Sequence, residues 1–311
     1  MPHRFVEGPV RVSVPATSAN LGPGFDALGL AVSLRDELEA EVIGNGLHVE
    51  VCGAGASDVP RDESHLVVRS MQRVFETLRV DPPGLSLRCE NRIPHCRGLG
   101  SSSAAIVGGL FLARELVTGG RLLLDDDALL QLAADMEGHP DNVAPALYGG
   151  FVIAGREGDD FYAVPSAVDP RISAVVFIPA APVSTELARE LLPVQVTHCD
   201  AAANAGRAAL LVAALASRPE HLHVATRDFL HQEQRAAAMP ETLDLVRTLR
   251  SEGHPAIVSG AGPTVLVFTD APVAPLPGWA AVGAGDLVSR CPEGWTALHV
   301  QIEQDGVRVE T

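Results

Sequence analysis

The sequence predicts an α+β fold in two packed domains. Its 311 residues exceed the roughly 100 to 200 that commonly share one core. Hydrophobic residues make up 47% and charged residues 20%, the balance of an ordinary globular chain. Strand-period and helix-period segments alternate irregularly along it.

Alternating Val10, Val12 and Val14 predict a first strand that stops at Pro15, followed by a polar loop over residues 16–24. Patterns at 38–43, 47–51 and 85–93 predict further strands, with a helix over about 64–78 among them. Residues 94–100 read as a glycine-containing loop. Residues 101–117, rich in Ala, Leu and Gly and free of proline, read as a buried helix. A helix over about 126–137 is stopped by Gly138 and Pro140 and restarts near Asp141. Stretches 151–154 and 161–164 predict a hairpin around Gly158. A strand over 172–178 is then followed by helical stretches at about 201–216, 220–238 and 240–251, and by strand-rich segments at 256–268 and 296–309. These predict a second domain, with the division at 1–165 and 166–311.

Composition excludes several kinds of chemistry. Acids outnumber bases 39 to 23, a formal charge of -16, so a general binder of nucleic-acid backbone, which needs a basic face, is not expected. Every basic residue is Arg and Lys is absent, which rules out a Gly-Lys-Ser/Thr phosphate loop, a Schiff-base lysine and a Ser-x-x-Lys acylating pair. No Gly-x-Ser-x-Gly elbow supports a serine hydrolase. The five cysteines are scattered without a Cys-x-x-Cys pair and read as reduced structural thiols. His221, His223 and His231 lack a metal-ligand spacing. No basic-then-apolar leader and no 18-residue apolar stretch are expected, which gives an expectation of a cytoplasmic protein without a membrane partner.

The strongest local signal is Pro94-His95-Cys96-Arg97-Gly98-Leu99-Gly100-Ser101-Ser102-Ser103-Ala104. Glycines at 98 and 100 let backbone N–H groups approach a ligand, and the helix opening near Ser101 directs unpaired N–H groups and its positive dipole end there. This is a phosphate cradle that needs no lysine. The hydroxyls of Ser101, Ser102 and Ser103 can cap the helix or reach a Mg²⁺ between phosphates. Three shorter patterns, beginning at Gly22, Gly260 and Gly283, match part of a dinucleotide fingerprint. Pro23 and Pro263 interrupt the first two, and no strand–glycine turn–helix unit surrounds them, so a Rossmann reading fails.

Residues 15–29, Pro-Ala-Thr-Ser-Ala-Asn-Leu-Gly-Pro-Gly-Phe-Asp-Ala-Leu-Gly, resemble the first signature of homoserine kinases. The 94–104 loop resembles the ATP signature of the wider superfamily of galactokinase, homoserine kinase, mevalonate kinase and phosphomevalonate kinase (GHMP), and Ser259-Gly260-Ala261-Gly262-Pro263-Thr264 its third signature. Glu137-Gly138-His139-Pro140-Asp141-Asn142 also points to homoserine kinases, although the single Gly138 makes this link shorter than in many of them. The resemblance implies an N-terminal domain of ribosomal protein S5 domain 2-like type and a ferredoxin-like C-terminal domain, with ATP between them. It implies phosphorylation of L-homoserine in threonine biosynthesis, with ATP and Mg²⁺ as cofactors, and a homodimer, since similar kinases are often dimers.

By the same resemblance, residues 94–104 hold ATP, and Ser102 with Glu137 holds Mg²⁺, a hard cation suited to oxygen ligands. Asn20, Asp26 and Asn142 form the catalytic set, and Asn20, Asp26, His139, Asn142, Thr185, Arg189 and Arg235 the substrate set. Asp26 supplies the anion an ammonium needs, and two guanidinium forks suit one carboxylate. Taken alone, Glu137 reads as solvated, His139-Pro140 as a turn, and each arginine as a surface group on a helix. In phosphoryl transfer the protein mainly positions reactants and stabilises charge, so no dedicated base is required. Arg97 or Arg235 can take the part lysine often plays, and Asp26 can either bind the acceptor or also accept its hydroxyl proton. Two rivals stand beside this reading: a related kinase for another alcohol, which would not need Asp26 together with two arginines, and a non-catalytic ATP sensor, which would not need Ser102 and Glu137.

Overall fold

The structure, a computed structural model, describes residues 5–270 and 284–310. Its first sheet contains β1 (Val10–Ala19), β2 (Leu28–Val42), β3 (Gly46–Gly53), β4 (Gly84–Asn91), β5 (Phe151–Glu157) and β6 (Asp160–Ser166), and is closed by β11 (Arg308–Glu310). The order is β11-β1-β2-β4-β3, with β5 joining the start of β2 and β6 joining β5. Only β3 and β4 run parallel, and α1 (Leu66–Leu78) lies between them in the chain. The helices that follow are α2 (Ser101–Leu116), α3 (Gly120–Leu123), α4 (Asp126–Glu137) and α5 (Pro140–Tyr148). The central helix α2 buries nearly every side chain, as its uniformly apolar sequence requires, and shares a core with Val12, Val14, Leu30 and Leu87 of the sheet.

The second sheet contains β7 (Ser173–Ile178), β8 (Ala256–Val258), β9 (Val265–Thr269) and β10 (Thr296–Gln301) in the order β10-β7-β9-β8, all antiparallel. Counted along the chain this is the 4-1-3-2 order of a ferredoxin-like sheet. Its connections carry α6 (Thr185–Glu190), α7 (His198–Ser217), α8 (Leu222–Ala225), α9 (Pro240–Ser251) and α10 (Ala284–Val288). Alternation along β7 assigns Ala174, Val176 and Ile178 to the main core, and Val175 and Phe177 to a second core against α9. The expected α+β architecture is therefore present.

Several local expectations are corrected. β1 passes through Pro15 to Ala19 because a bulge between Pro15 and Ala16 absorbs the missing N–H. β2 begins at Leu28, ten residues before the predicted strand, since its first half is buried on both faces and shows no alternation. The predicted helix over 220–238 is only α8 flanked by two 3₁₀ turns. Asp228 breaks it: its carboxylate accepts from the backbone N–H groups of Leu230, His231 and Gln232, satisfying them outside a helix. The predicted strand over 256–268 is split by a turn into β8 and β9. The 283–288 glycine pattern begins outside the described residues.

α7 is long and apolar enough by length and composition to cross a membrane, against the expectation that no such stretch exists. Short alanines create that composition. Leu211, Ala214 and Leu215 of α7 join the main core, while Asn204 donates to Pro23 O (2.7 Å) and accepts from Phe229 N (3.2 Å).

Candidate active site

One cleft between the two sheets collects residues from almost every motif, and its phosphate side is made of backbone. α2 has Gly100 as its N-cap and no serine hydroxyl caps it, so of the two roles open to those hydroxyls capping is not taken. Both Gly98 (φ 71°) and Gly100 (φ 69°) are left-handed, and a Cβ would drive Gly98 into the Ser259 carbonyl and Gly100 into the Thr17 hydroxyl. The loop is held by its carbonyls. Leu99 O accepts from Thr17 N (3.0 Å), Gly98 O from the Ser259 hydroxyl (2.6 Å), and Arg97 O from Thr264 N (3.3 Å). The N–H groups at the start of α2 have no carbonyl one turn back, so they are donors for an anion.

Arg97 is not the substitute for lysine. Its guanidinium is spent on the carbonyls of His95 (2.8 Å), Pro179 (2.9 Å) and Ala180, tying the loop to the end of β7. His95 turns away toward Asn91, with Nδ2 and Nε2 3.4 Å apart, while Ala104 is fully buried. Neither these two residues nor Pro94 and Ser103 are among those lining the cleft, whereas Cys96, Arg97, Gly98, Leu99, Gly100, Ser101 and Ser102 are.

Glu137 ends α4, where the helix dipole disfavours a carboxylate. Its Oε1 accepts from Ser102 Oγ (2.7 Å) and Ser103 Oγ (3.0 Å). A carboxylate beside a serine hydroxyl at the mouth of an anion cradle is the hard oxygen set that Mg²⁺ with phosphates prefers, so the residues fit that ion. Gly138 then turns in the left-handed region (φ 88°), His139 is extended, and α5 restarts with Pro140 at its first position. The short link thus closes as one glycine C-cap followed by a proline start.

His139 Nδ1 and Asp141 Oδ1 are 2.7 Å apart. Burial lowers the imidazole pKa, but the bond to Asp141 and the charges of Asp141 and Glu137 outweigh it, and the net direction is upward. Asn142 Oδ1 accepts from Thr17 Oγ1 (2.9 Å), so its amide is oriented by the first strand. Asp141 and Thr17 were not singled out by sequence; each sits inside a recognised motif but touches its partner only in the fold.

On the opposite wall, Asn20 and Asp26 both adopt positive φ, at 67° and 54°. Asn20 Nδ2 donates to Gly260 O (2.9 Å) and its Oδ1 accepts from Asp26 N (3.0 Å), so Asn20 fixes the turn that presents Asp26. Arg189 on α6 grips that carboxylate with both terminal nitrogens, at 2.7 and 3.1 Å, and the bond raises the Arg189 pKa. Thr185 opens α6, which Ser184 caps, and lines the cleft. Far from being a surface group, Arg235 is 1% exposed. Burial, and then the nearby Arg189, push its pKa down to about 10. Phe25 and His231, which support these arginines, and the cleft-lining Gly260 and Ala261 lay in recognised segments without being chosen as site residues.

The cleft therefore joins the N–H groups at the start of α2 and the bonded Ser102–Glu137 pair to a small compartment with one carboxylate and two guanidiniums, an arrangement suited to phosphoryl transfer onto a small zwitterion. The family described as GHMP kinases N terminal domain matches residues 65–150, and GHMP kinases C terminal matches 202–275. The chain is 52% identical to homoserine kinase of Streptomyces avermitilis over 98% of this chain and 97% of that one. It is 56% identical to homoserine kinase of Streptomyces coelicolor, over 98% and 96% respectively. The chain belongs to the homoserine kinase family. A solved homoserine kinase from Cytophaga hutchinsonii superposes with a TM-score of 0.83 at 26% identity, covering 100% of both chains. The mevalonate kinase of L. major, with a TM-score of 0.65 and 18% identity over 97% of this chain and 98% of that one, shares the fold. Membership of the homoserine kinase family carries ATP-dependent kinase chemistry with it.

Proposed function

We propose that this member of the homoserine kinase family transfers the γ-phosphoryl group of ATP to the side-chain hydroxyl of L-homoserine, giving O-phospho-L-homoserine on the route to threonine. The observation that carries this is the acceptor compartment. Asp26 matches an ammonium, Arg189 and Arg235 match a carboxylate, and all three line the cleft that the Gly98–Gly100 loop closes.

The loop N–H groups and the start of α2 bind the phosphates, and Ser102 with Glu137 holds Mg²⁺, which when bound neutralises charge on the phosphate oxygens. Asn20 and Asn142, each oriented by a bond to its neighbour, set the position of the acceptor hydroxyl. His139 lines the cleft with Nδ1 held to Asp141; burial disfavours its charged form, but that bond and the charges of Asp141 and Glu137 outweigh it and shift the ring toward protonation. Because the transition state is loose, alignment and charge stabilisation carry most of the catalysis and no side chain has to act as a strong base. Asp26 binds the ammonium, and the zwitterion replaces the Asp26–Arg189 ion pair with its own two charges, so neither group is left unpaired on binding.

The test is ADP release from Mg-ATP with L-homoserine, D-homoserine, L-serine, shikimate and mevalonate offered separately. Strong turnover with L-homoserine alone supports the reading. Turnover only with another alcohol would keep the phosphate side and overturn the acceptor assignment, and silence across the panel would leave a nucleotide-binding protein. An Asp26→Asn variant that keeps acceptor affinity but loses turnover would move Asp26 from binding to proton acceptance.

A further inference from the structure

Among the described residues no carboxylate pairs with Arg235, although it is nearly fully buried. Its Nε donates to Ala188 O (3.0 Å) and its Nη1 to His231 Nδ1 (3.0 Å) and Gly260 O (3.3 Å). Nη2 makes none of these bonds, and the residue lines the cleft. A buried cation held by neutral acceptors, with donors to spare, is arranged for an anion that arrives later.

Two features hold it there. His231 Nε2 lies 2.8 Å from Gly22 O, and a carbonyl only accepts, so Nε2 carries the proton and Nδ1 is the lone pair that receives Arg235. The Asp228 carboxylate, receiving His231 N (3.0 Å), fixes the backbone beneath the ring. The second feature is Phe25. Its ring centroid is 5.5 Å from the Arg235 guanidinium and 5.6 Å from that of Arg189, and 5.2 Å from the His231 ring, tilted at 37°. Two cations aimed at one compartment repel, and an aromatic face attracts each of them. The turn that supplies this ring also supplies Asp26, the partner of Arg189, so a single turn orients both guanidiniums.

We propose that Phe25 and His231 are positioning residues for the acceptor carboxylate: Phe25 seats both guanidiniums on its ring, and His231 locks Arg235 so that Nη2 is left for the ligand. This rests on the homoserine reading. It assigns to Phe25 and to His231 a share of acceptor affinity that neither has by touching the acceptor. The phosphate cradle lies on other segments, so ATP binding is unaffected.

The experiment is steady-state kinetics with L-homoserine and ATP varied separately, on wild type, Phe25→Leu, Phe25→Tyr, His231→Leu and His231→Asn, with ATP affinity and melting temperature measured alongside. Phe25→Leu and His231→Leu raise the KM for L-homoserine about tenfold, with kcat and the KM for ATP within about twofold of wild type. Phe25→Tyr restores a ring face, and His231→Asn restores an acceptor at the Nδ1 position, so each recovers most of the loss. An unchanged homoserine KM in folded Leu variants, or an equal loss toward ATP, overturns the proposal; should Phe25→Leu not fold, the His231 pair decides. Wild type inert toward L-homoserine would bring down the functional reading and this inference with it. Active wild type with unaffected variants sinks the positioning roles alone.

Discussion

On one wall of the cleft the groups facing it are backbone groups of one contiguous loop and the start of α2, to which the distant side chains of Glu137 and Ser259 are bonded. On the acceptor wall they are side chains, delivered by the turn after β1, by α6, by the irregular segment before α9 and by the start of α5. A backbone cradle tolerates exchange of most side chains and fails where a Cβ intrudes. A side-chain compartment fails when one charge is removed, because the ligand loses a counter-charge and the partner side chain loses its own.

The largest expected effect follows from that second rule. Arg189→Leu leaves Asp26 unpaired and removes one guanidinium, so kcat/KM for L-homoserine falls on the order of 10² to 10³-fold while ATP affinity, measured by calorimetry, is retained. An equal loss of ATP affinity would break the division between the walls. Next, Glu137→Gln keeps an oxygen for Ser102 and Ser103 but removes the charge, and the Mg²⁺ concentration giving half-maximal rate rises roughly 10 to 100-fold. An unchanged Mg²⁺ titration would take Glu137 out of the cation site.

A third expectation concerns what the cradle rests on. Asp36 is buried, its Oδ1 accepts the N–H groups of Arg92 (2.6 Å) and Ile93 (2.8 Å) just before the loop, and burial raises its pKa to about 6. A raised carboxylate binds its proton more tightly in the folded state than in the unfolded chain, so folding is favoured at low pH and the advantage is lost as pH rises from about 4 through about 6. Asp36→Asn does not titrate. Comparing the variant with wild type by urea unfolding, the difference moves in favour of the variant by about 2 kcal/mol between pH 4 and pH 8, and a flat difference would contradict the burial argument. The smallest effect is at Cys96, exposed and at φ 54°. Cys96→Gly relieves the left-handed strain and leaves kcat within about twofold, since the loop works through its backbone.

The motif loop, α2, α4 and the hairpin of β5 and β6 were legible because each depends on neighbours within a few residues: glycines set the turn, an apolar run sets the helix, and alternation sets the strands. The segment after α8 was not. Its composition suits a helix, and only the Asp228 side chain bonding three successive N–H groups opens it into the turn that brings His231 and Arg235 inward. Arg97 looked available for phosphate because a sequence shows a cation but not the three carbonyls that occupy it.

By itself the sequence determined the α+β succession of strands and helices and a lysine-free glycine loop opening a helix, since these follow from local backbone preference; the residues for a zwitterion and a metal were legible only through the resemblance to homoserine kinases. Tertiary structure alone decided which of those groups meet. Asn20 reaches Gly260 across 240 positions, Thr17 orients Asn142 across 125, and Asp26 finds Arg189 across 163. Contacts of that separation are chosen by how two sheets and their helices pack, a property of the whole folded chain that no local pattern encodes.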